Sequence, residues 1–184
     1  MRLKHRLLLI YLPVILWLCF ASYIEAADSE RDRILRTFRE YEALNADFLS
    51  SVGHGKGKSG KPYAVLHHEV EAYGEGPFEA ALRAAQTQVC KFKDTEVITA
   101  LFRVILTTSN SASESPARTL GYVFVCQPDL VAKSFRALTL AKRQELFPTF
   151  KFGFENVVYE EPKDSRRVLE LRRKLQALEP GGKQ

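Results

Sequence analysis

The chain has 184 residues, of which 46% are hydrophobic and 27% charged, and this size and composition fit one globular domain with its own core. The formal net charge of +5 would suggest a nucleic-acid partner, but residues 28–162 carry 17 basic and 18 acidic groups, so the excess lies in the two ends. Because a nucleic-acid-binding fold concentrates basic residues on its own surface, this distribution argues against such a partner.

The first segment has the pattern of an export signal. Three basic residues among the first six precede residues 7–24, a run of 18 residues without charge. A basic lead followed by an apolar stretch is typical of a secretory signal, and 18 residues are also just enough to span a bilayer. We therefore expect residues 1–27 to be a cleaved signal peptide or an uncleaved anchor. Either one places a single domain, 28–184, in the periplasm or outside the cell.

Two cysteines, Cys90 and Cys126, remain after the leader. An even pair in an oxidising compartment favours a disulfide, and the alternative is two small buried thiols. A bridge would close a loop of about 37 residues. The chain-entropy treatment gives such a loop roughly 3–4 kcal/mol of stabilisation.

An amphipathic helix is predicted over residues 29–50. Its apolar residues recur at helical spacing and are Ile34, Phe38, Tyr41, Leu44 and Phe48.

Residues 51–61 form a Gly- and Lys-rich segment that resembles part of a phosphate-binding loop. Gly55 to Lys61 reads G-x-x-x-x-G-K, but a P-loop leaves a strand and opens a helix, whereas here a predicted helix precedes and a predicted strand follows. Pro62 also stands where a Ser or Thr would bind magnesium. The segment therefore predicts a flexible linker and not a nucleotide site.

Four strands are predicted from alternating or β-branched patterns. They cover 62–76, 95–109, 119–127 and 149–159. Over 95–109 a helical template fits as well, and the density of Val, Ile and Thr favours the strand. The second and third strands would form a hairpin with a polar tip at 109–118.

Helical periodicity predicts the remaining elements at 78–92, at 128–148 as one or two helices ending before Pro148, and at 164–180. The order of elements indicates an α+β two-layer sandwich. A mixed or antiparallel sheet of about four strands would carry helices on one face.

Candidate chemistry is sparse. On a strand, His67, Glu69 and Glu71 would share one face and are weak candidates for metal ligands. The alternative is an ordinary polar sheet face. No catalytic residue is assigned and no cofactor is expected.

The C-terminal segment 163–184 is predicted to be a basic amphipathic helix with a short tail. Its basic residues are Arg166, Arg167, Arg172, Arg173 and Lys174. They could contact an anionic membrane surface or a partner protein. Alternatively, the leucines of this helix cover the sheet and the arginines are simply solvated.

These features favour an exported, non-enzymatic domain that acts through contacts with a protein partner. The expected contact surfaces are the hairpin tip, the sheet face at His67 and the basic helix. Two alternatives stay open: a small extracytoplasmic hydrolase or metal-binding protein using His67, Glu69 and Glu71, and a peripheral membrane protein.

Overall fold

The computed structural model describes residues 29–108, 113–160 and 165–181, and these segments form a bundle of helices. The leader, 1–27, lies outside the described residues. The helices are α1 (29–51), α2 (Tyr63–Tyr73), a π-helical segment (Gly74–Phe78), α3 (Glu79–Phe92), α4 (Thr95–Thr107), α5 (Ser115–Cys126), α6 (Pro128–Arg136), α7 (Leu140–Glu160) and α8 (Ser165–Gln176).

The predicted α+β sandwich is wrong. The described residues contain no sheet, and their only extended pairing is an isolated bridge between Lys56 and Pro62. The four predicted strands fall in α2, α4, α5 and α7. The hairpin disappears with them: residues 109–112 of its tip lie outside the described part of the chain, and α5 begins at Ser115.

Helix α7 shows how the alternating pattern misled the prediction. Phe150 and Phe154 are fully buried, whereas Phe152 is 45% exposed. A strand would place all three rings on one face, but a helix brings positions i and i+4 together and turns i+2 outward. Of the three alternating phenylalanines, Phe150 and Phe154 therefore belong to the buried face of a helix, and Phe152 does not.

Helix α4 was mistaken for a strand because its residues are rich in Val, Ile and Thr. Its exposed residues Thr99, Arg103 and Thr107 follow the helical period, but they form a narrow stripe beside a broad apolar face, so the period is easily overlooked. Its buried residues are Val97, Ile98, Ala100, Leu101, Phe102, Val104 and Ile105. Asp94 caps its first turn by accepting hydrogen bonds from the amides of Glu96 and Val97.

The core is built largely from phenylalanine rings. Phe124 of α5 contacts Phe150 and Phe154 of α7 edge-on, at centroid distances of 5.0 and 5.6 Å. Phe135 of α6 joins them at 5.7 Å from Phe150. Edge-to-face pairs of this kind add to the stabilisation that burial provides.

Two proline-containing segments are helical where a break was predicted. Pro148 lies inside α7, and Pro77 lies inside the π-helical segment that joins α2 to α3. Proline weakens a helix because it lacks an amide hydrogen, so packing of the flanking core residues must outweigh this cost.

The other predicted helices are confirmed in position. α1 and α3 match their predicted ranges within two residues, and α8 lies within the predicted C-terminal helix. Cys90 and Cys126 form a disulfide between the ends of α3 and α5, with their Cα atoms 5.7 Å apart. The amide Nε2 of Gln127 donates to the carbonyl of Cys90 at 3.0 Å beside it.

Within the described ranges, no helix has both the length and the apolar character needed to cross a bilayer. The predicted anchor, residues 7–24, lies outside those ranges.

Candidate ligand-binding cleft

A cleft of about 650 Å³ lies between α1, α2, the π-helical segment and the start of α3, with two serines near the start of α5 at one side. Its lining combines aromatic rings with carboxylates. Concave sites lined by rings with a few polar groups are the usual form of binding sites in proteins.

Helix α1 forms one wall with Tyr41, Asn45 and Phe48, which are spaced one turn apart. Asn45 is only 2% exposed, and its Nδ2 donates to the carbonyl of Thr107 at the end of α4, at 3.1 Å. This hydrogen bond holds the wall against the rest of the bundle.

Helix α2 forms the opposite wall with Tyr63 and His67. The ring of Phe48 lies 5.4 Å from Tyr63 and 5.7 Å from His67, and the last two rings are 5.9 Å apart. Tyr63 is 42% exposed, so part of its ring is open to a ligand.

The floor is a stack of rings. Tyr41 lies on Phe78 with centroids 3.9 Å apart, and Tyr73 stacks behind Tyr41 at 6.2 Å. The hydroxyl of Tyr73 donates to Glu40 Oε2 at 2.5 Å. Burial, followed by this hydrogen bond, raises the pKa of Tyr73 to about 12. Tyr73 therefore stays neutral at physiological pH and bonds α2 to α1.

The π-helical segment shapes the floor locally. The amide of Glu79 donates to the carbonyl of Gly74, five residues earlier. This wider turn shifts the face that the chain presents, so that Gly74, Glu75, Phe78 and Glu79 all line the cleft. Such insertions are frequent at functional sites.

The ionisable side chains of Glu71, Glu75, Glu79 and His67 line the cleft. His67 Nδ1 lies 3.3 Å from Glu71 Oε2, and Glu79 lies 3.4 Å from Arg83, which is outside the lining. Glu75 has no ion pair with any described residue. Since no Lys or Arg of the described chain lines the cleft, its charged groups are predominantly acidic.

The structure separates the three weak metal candidates. His67 and Glu71 are one turn apart on α2 and both line the cleft, whereas Glu69 points away and accepts from Lys61 Nζ at 2.8 Å. The shared strand face does not exist, because the segment is a helix. Among the described residues, no group of three His, Cys, Asp or Glu could hold a metal ion.

The Gly- and Lys-rich loop, 51–61, uses its amides internally. The Ser59 amide donates to Asp47 Oδ1, and the Lys58 amide donates to Ser50 Oγ, both at 3.0 Å. A phosphate-binding loop needs such amides for its ligand. Here the carboxylate of Asp47 accepts one of these hydrogen bonds in place of a phosphate.

One reason given against a nucleotide in this loop was wrong. A helix follows the loop, not a strand, since α2 begins at Tyr63. The other reasons remain: α1 precedes the loop where a P-loop has a strand, and Pro62 stands where a Ser or Thr would bind magnesium. The structure adds that Lys61 is paired with Glu69. The loop is a helix-to-helix connection with its own hydrogen bonds.

Arg172 and Lys174, two of the five basic side chains of α8, contact neighbouring helices. Arg172 Nη2 lies 2.6 Å from Glu155 of α7, and Lys174 Nζ lies 2.9 Å from Asp129 of α6. Arg167 pairs with a glutamate one turn along its own helix. These pairs orient α8 on the bundle, although exposure to solvent keeps such pairs weak.

The apolar side of α8 is part of the core. Its buried residues are Val168, Leu171, Leu175 and the nearby Leu178. An amphipathic helix binds a membrane through its apolar face, and this face packs on helices instead. The predicted leucine stripe is therefore confirmed as packing surface, but it covers a helical bundle and not a sheet.

Sequence reasoning missed the aromatic lining. Tyr41 and Phe48 were recognised as part of the apolar stripe of α1, and Tyr63 was placed on a strand face. One signal could have indicated that these rings lie together. Phe48 is the last aromatic residue of α1, and only the end of that helix and the short loop that follows separate it from Tyr63.

Comparison of the chain with protein-family models, with curated proteins and with solved structures gives no match.

Proposed function

We propose that this protein is an exported helical binding domain that holds a segment of a partner protein in the α1–α2–α3 cleft and carries out no chemistry on it. The observation that supports this proposal is the cleft itself. It has an aromatic floor, a partly exposed Tyr63 and polar groups at its edge. Aromatic residues in a concave surface are typical of the centres of protein–protein interfaces.

Export is supported by two independent features. The basic and apolar order of residues 1–24 is typical of a secretory signal. The disulfide between Cys90 and Cys126 is compatible with an oxidising compartment, where such bonds persist.

The cleft can be tested by photo-crosslinking in cells of the source organism. A photoreactive amino acid at position 63 places the probe in the cleft, and one at Leu169, which is 53% exposed on α8, serves as the control. We expect a discrete protein adduct from position 63 and none of the same mass from position 169. Phe48→Ala should remove the adduct, because it removes a ring of the wall. Identical adducts from both positions would refute the proposal.

Export can be tested separately. A reporter enzyme that is active only outside the cytoplasm, fused after residue 184, should be active. Replacement of the three basic and several apolar leader residues should abolish its activity. Activity confined to a cytosolic reporter would overturn this part of the proposal.

A further inference from the structure

We infer that the cleft binds a basic segment of the partner protein, with an Arg or Lys side chain lying against Tyr63 and its charge directed at the glutamates of the rim. This inference rests on the proposed function and names the chemistry of the partner.

The inference depends on the sign of the charge in the cleft. Residues 28–162 are close to neutral, with 17 basic and 18 acidic groups, yet no Lys or Arg of the described chain lines the cleft while Glu71, Glu75 and Glu79 do. Glu79 is paired with Arg83, but Glu75 has no ion pair among the described residues, and the side chain of Glu71 is 60% exposed beside His67. Opposite charges across an interface steer association and select the partner, so an acidic cleft favours a basic ligand.

The rings supply the second component. A guanidinium or ammonium group over the face of an aromatic ring is attracted by the electron density of that face. Tyr63 of α2 and Phe48 of α1 contact each other across the cleft, with ring centroids 5.4 Å apart, and both line it together with the glutamates. A ring wall with carboxylates at its edge is the environment that such a side chain requires.

The surroundings of the cleft favour a polypeptide over a small amine. The end of α1 and the start of α2 expose the large apolar side chains Leu49, Val52, Tyr63 and Val65, by 41–52%; Tyr63 lines the cleft, and Leu49 and Val52 line a separate, shallow pocket. These four are half of the eight large hydrophobic side chains exposed in the described residues. A free amine would fill only the cleft, whereas a peptide could also cover apolar surface at its end.

The probe is a fluorescein-labelled peptide with three arginines separated by Gly-Ser pairs, and its counterpart with three citrullines. Citrulline has nearly the shape of arginine without the charge. Each peptide is titrated with the mature protein purified from exporting cells. We expect the arginine peptide to bind at least tenfold more tightly than the citrulline peptide. Agmatine, a small amine with the same head group, should compete only at much higher concentration.

The decisive variant carries Glu71→Gln, Glu75→Gln and Glu79→Gln together. We expect it to lose at least tenfold in affinity for the arginine peptide and little for the citrulline peptide. Glu145→Gln, which changes an exposed carboxylate of α7 outside the cleft, should bind as the parent does. If the triple variant does not fold by circular dichroism, Glu75→Gln alone should weaken binding two- to fivefold.

Each other outcome overturns the inference. Equal affinity for both peptides would show that charge is not recognised, and unchanged affinity in the variant would place binding elsewhere. Agmatine competing as well as the peptide would identify the ligand as a small amine. If charge is not recognised or binding lies elsewhere, a crosslink at position 63 would still support the proposed function. Absence of that crosslink would count against the proposed function, whatever the peptide measurements show.

Discussion

Gly153 on α7 leaves no space for a side chain, because an added Cβ would overlap with the backbone carbonyl of Ala117 on α5. The same crossing brings Gly121 against Gly153. We expect Gly153→Ala to lower the free energy of unfolding by about 1–3 kcal/mol, since overpacking forces the two backbones apart. Urea unfolding followed by circular dichroism would measure this change.

Gly76 provides the matched control for that substitution. A Cβ built there meets nothing within 4 Å. Gly76→Ala should therefore leave stability unchanged or raise it by about 0.5 kcal/mol, because alanine reduces the freedom of the unfolded chain. Equal losses in both variants would contradict the role assigned to the α5–α7 crossing.

Asp47 anchors the loop between α1 and α2 in a pH-dependent way. Hydrogen bonds from the side chain and backbone of Ser59 hold the pKa of Asp47 below its usual value of 3.8. A carboxyl with a lowered pKa stabilises the fold above its unfolded pKa, and this stabilisation is lost as the pH falls through the folded value. Asp47→Ala should therefore be destabilising at pH 7 and much less so at pH 3.

The measurement for Asp47 is the unfolding midpoint of both proteins at each pH. Amide exchange at Ser59 adds a local readout and should accelerate in Asp47→Ala at pH 7. If the difference in unfolding midpoint between the parent and Asp47→Ala is the same at both pH values, the ionised carboxylate is not the stabilising group.

Single residues also show where sequence reasoning failed. Leu66 and His68 both lie in the strand predicted over 62–76, but in the structure Leu66 is buried and His68 is exposed. Those positions are two apart, so they share a face on a strand and lie on opposite sides of a helix. Because the segment was assigned the period of a strand, the burial expected for its side chains was also wrong.

At the scale of elements, the disulfide connects the C-terminal ends of α3 and α5. Its cysteines are 36 positions apart. We expect Cys90→Ser with Cys126→Ser to lower the free energy of unfolding by about 3–4 kcal/mol, because the open chain gains entropy when unfolded. Thermal or urea unfolding with and without reductant would measure it. Reductant should destabilise the parent to the level of the variant and leave the variant unchanged, and a variant as stable as the parent would contradict the expectation.

The amphipathic helices were predictable and the buried ones were not. α1 and α8 have a charged face and an apolar stripe, which give the helical period directly. α4 and α5 have broad apolar faces, and the valine, isoleucine and threonine content of α4 is that of a buried strand. Asp94, which caps α4, and Pro116, in the first turn of α5, are local helix signals, but neither entered the prediction.

At the scale of the whole molecule, the all-helical architecture has a simple spectroscopic consequence. We expect the far-UV circular dichroism spectrum of the protein to be that of a predominantly helical protein without a sheet component. A spectrum that required four strands would contradict the fold described above and would return the original sandwich to consideration.

The candidate site could be predicted only in fragments. His67 and Glu71 were selected from the sequence, although for metal chemistry, and the structure places both at the edge of the cleft. Tyr41 and Phe78 meet only because α1 and the π-helical segment pack together, and Phe48 meets Tyr63 only because α1 packs on α2. Contacts between residues some 30 positions apart are set by how helices cross, and no local pattern encodes that geometry.

The sequence by itself determined the leader pattern, the number of cysteines, the amphipathic helices at both ends of the domain and the balance of charge. These are properties of neighbouring residues or of composition, so no fold is needed to read them. Only the tertiary structure decided whether the central segments are helices or strands, because their apolar side chains satisfy either period until a partner surface is present. The same packing brought the aromatic rings and glutamates together in one cleft.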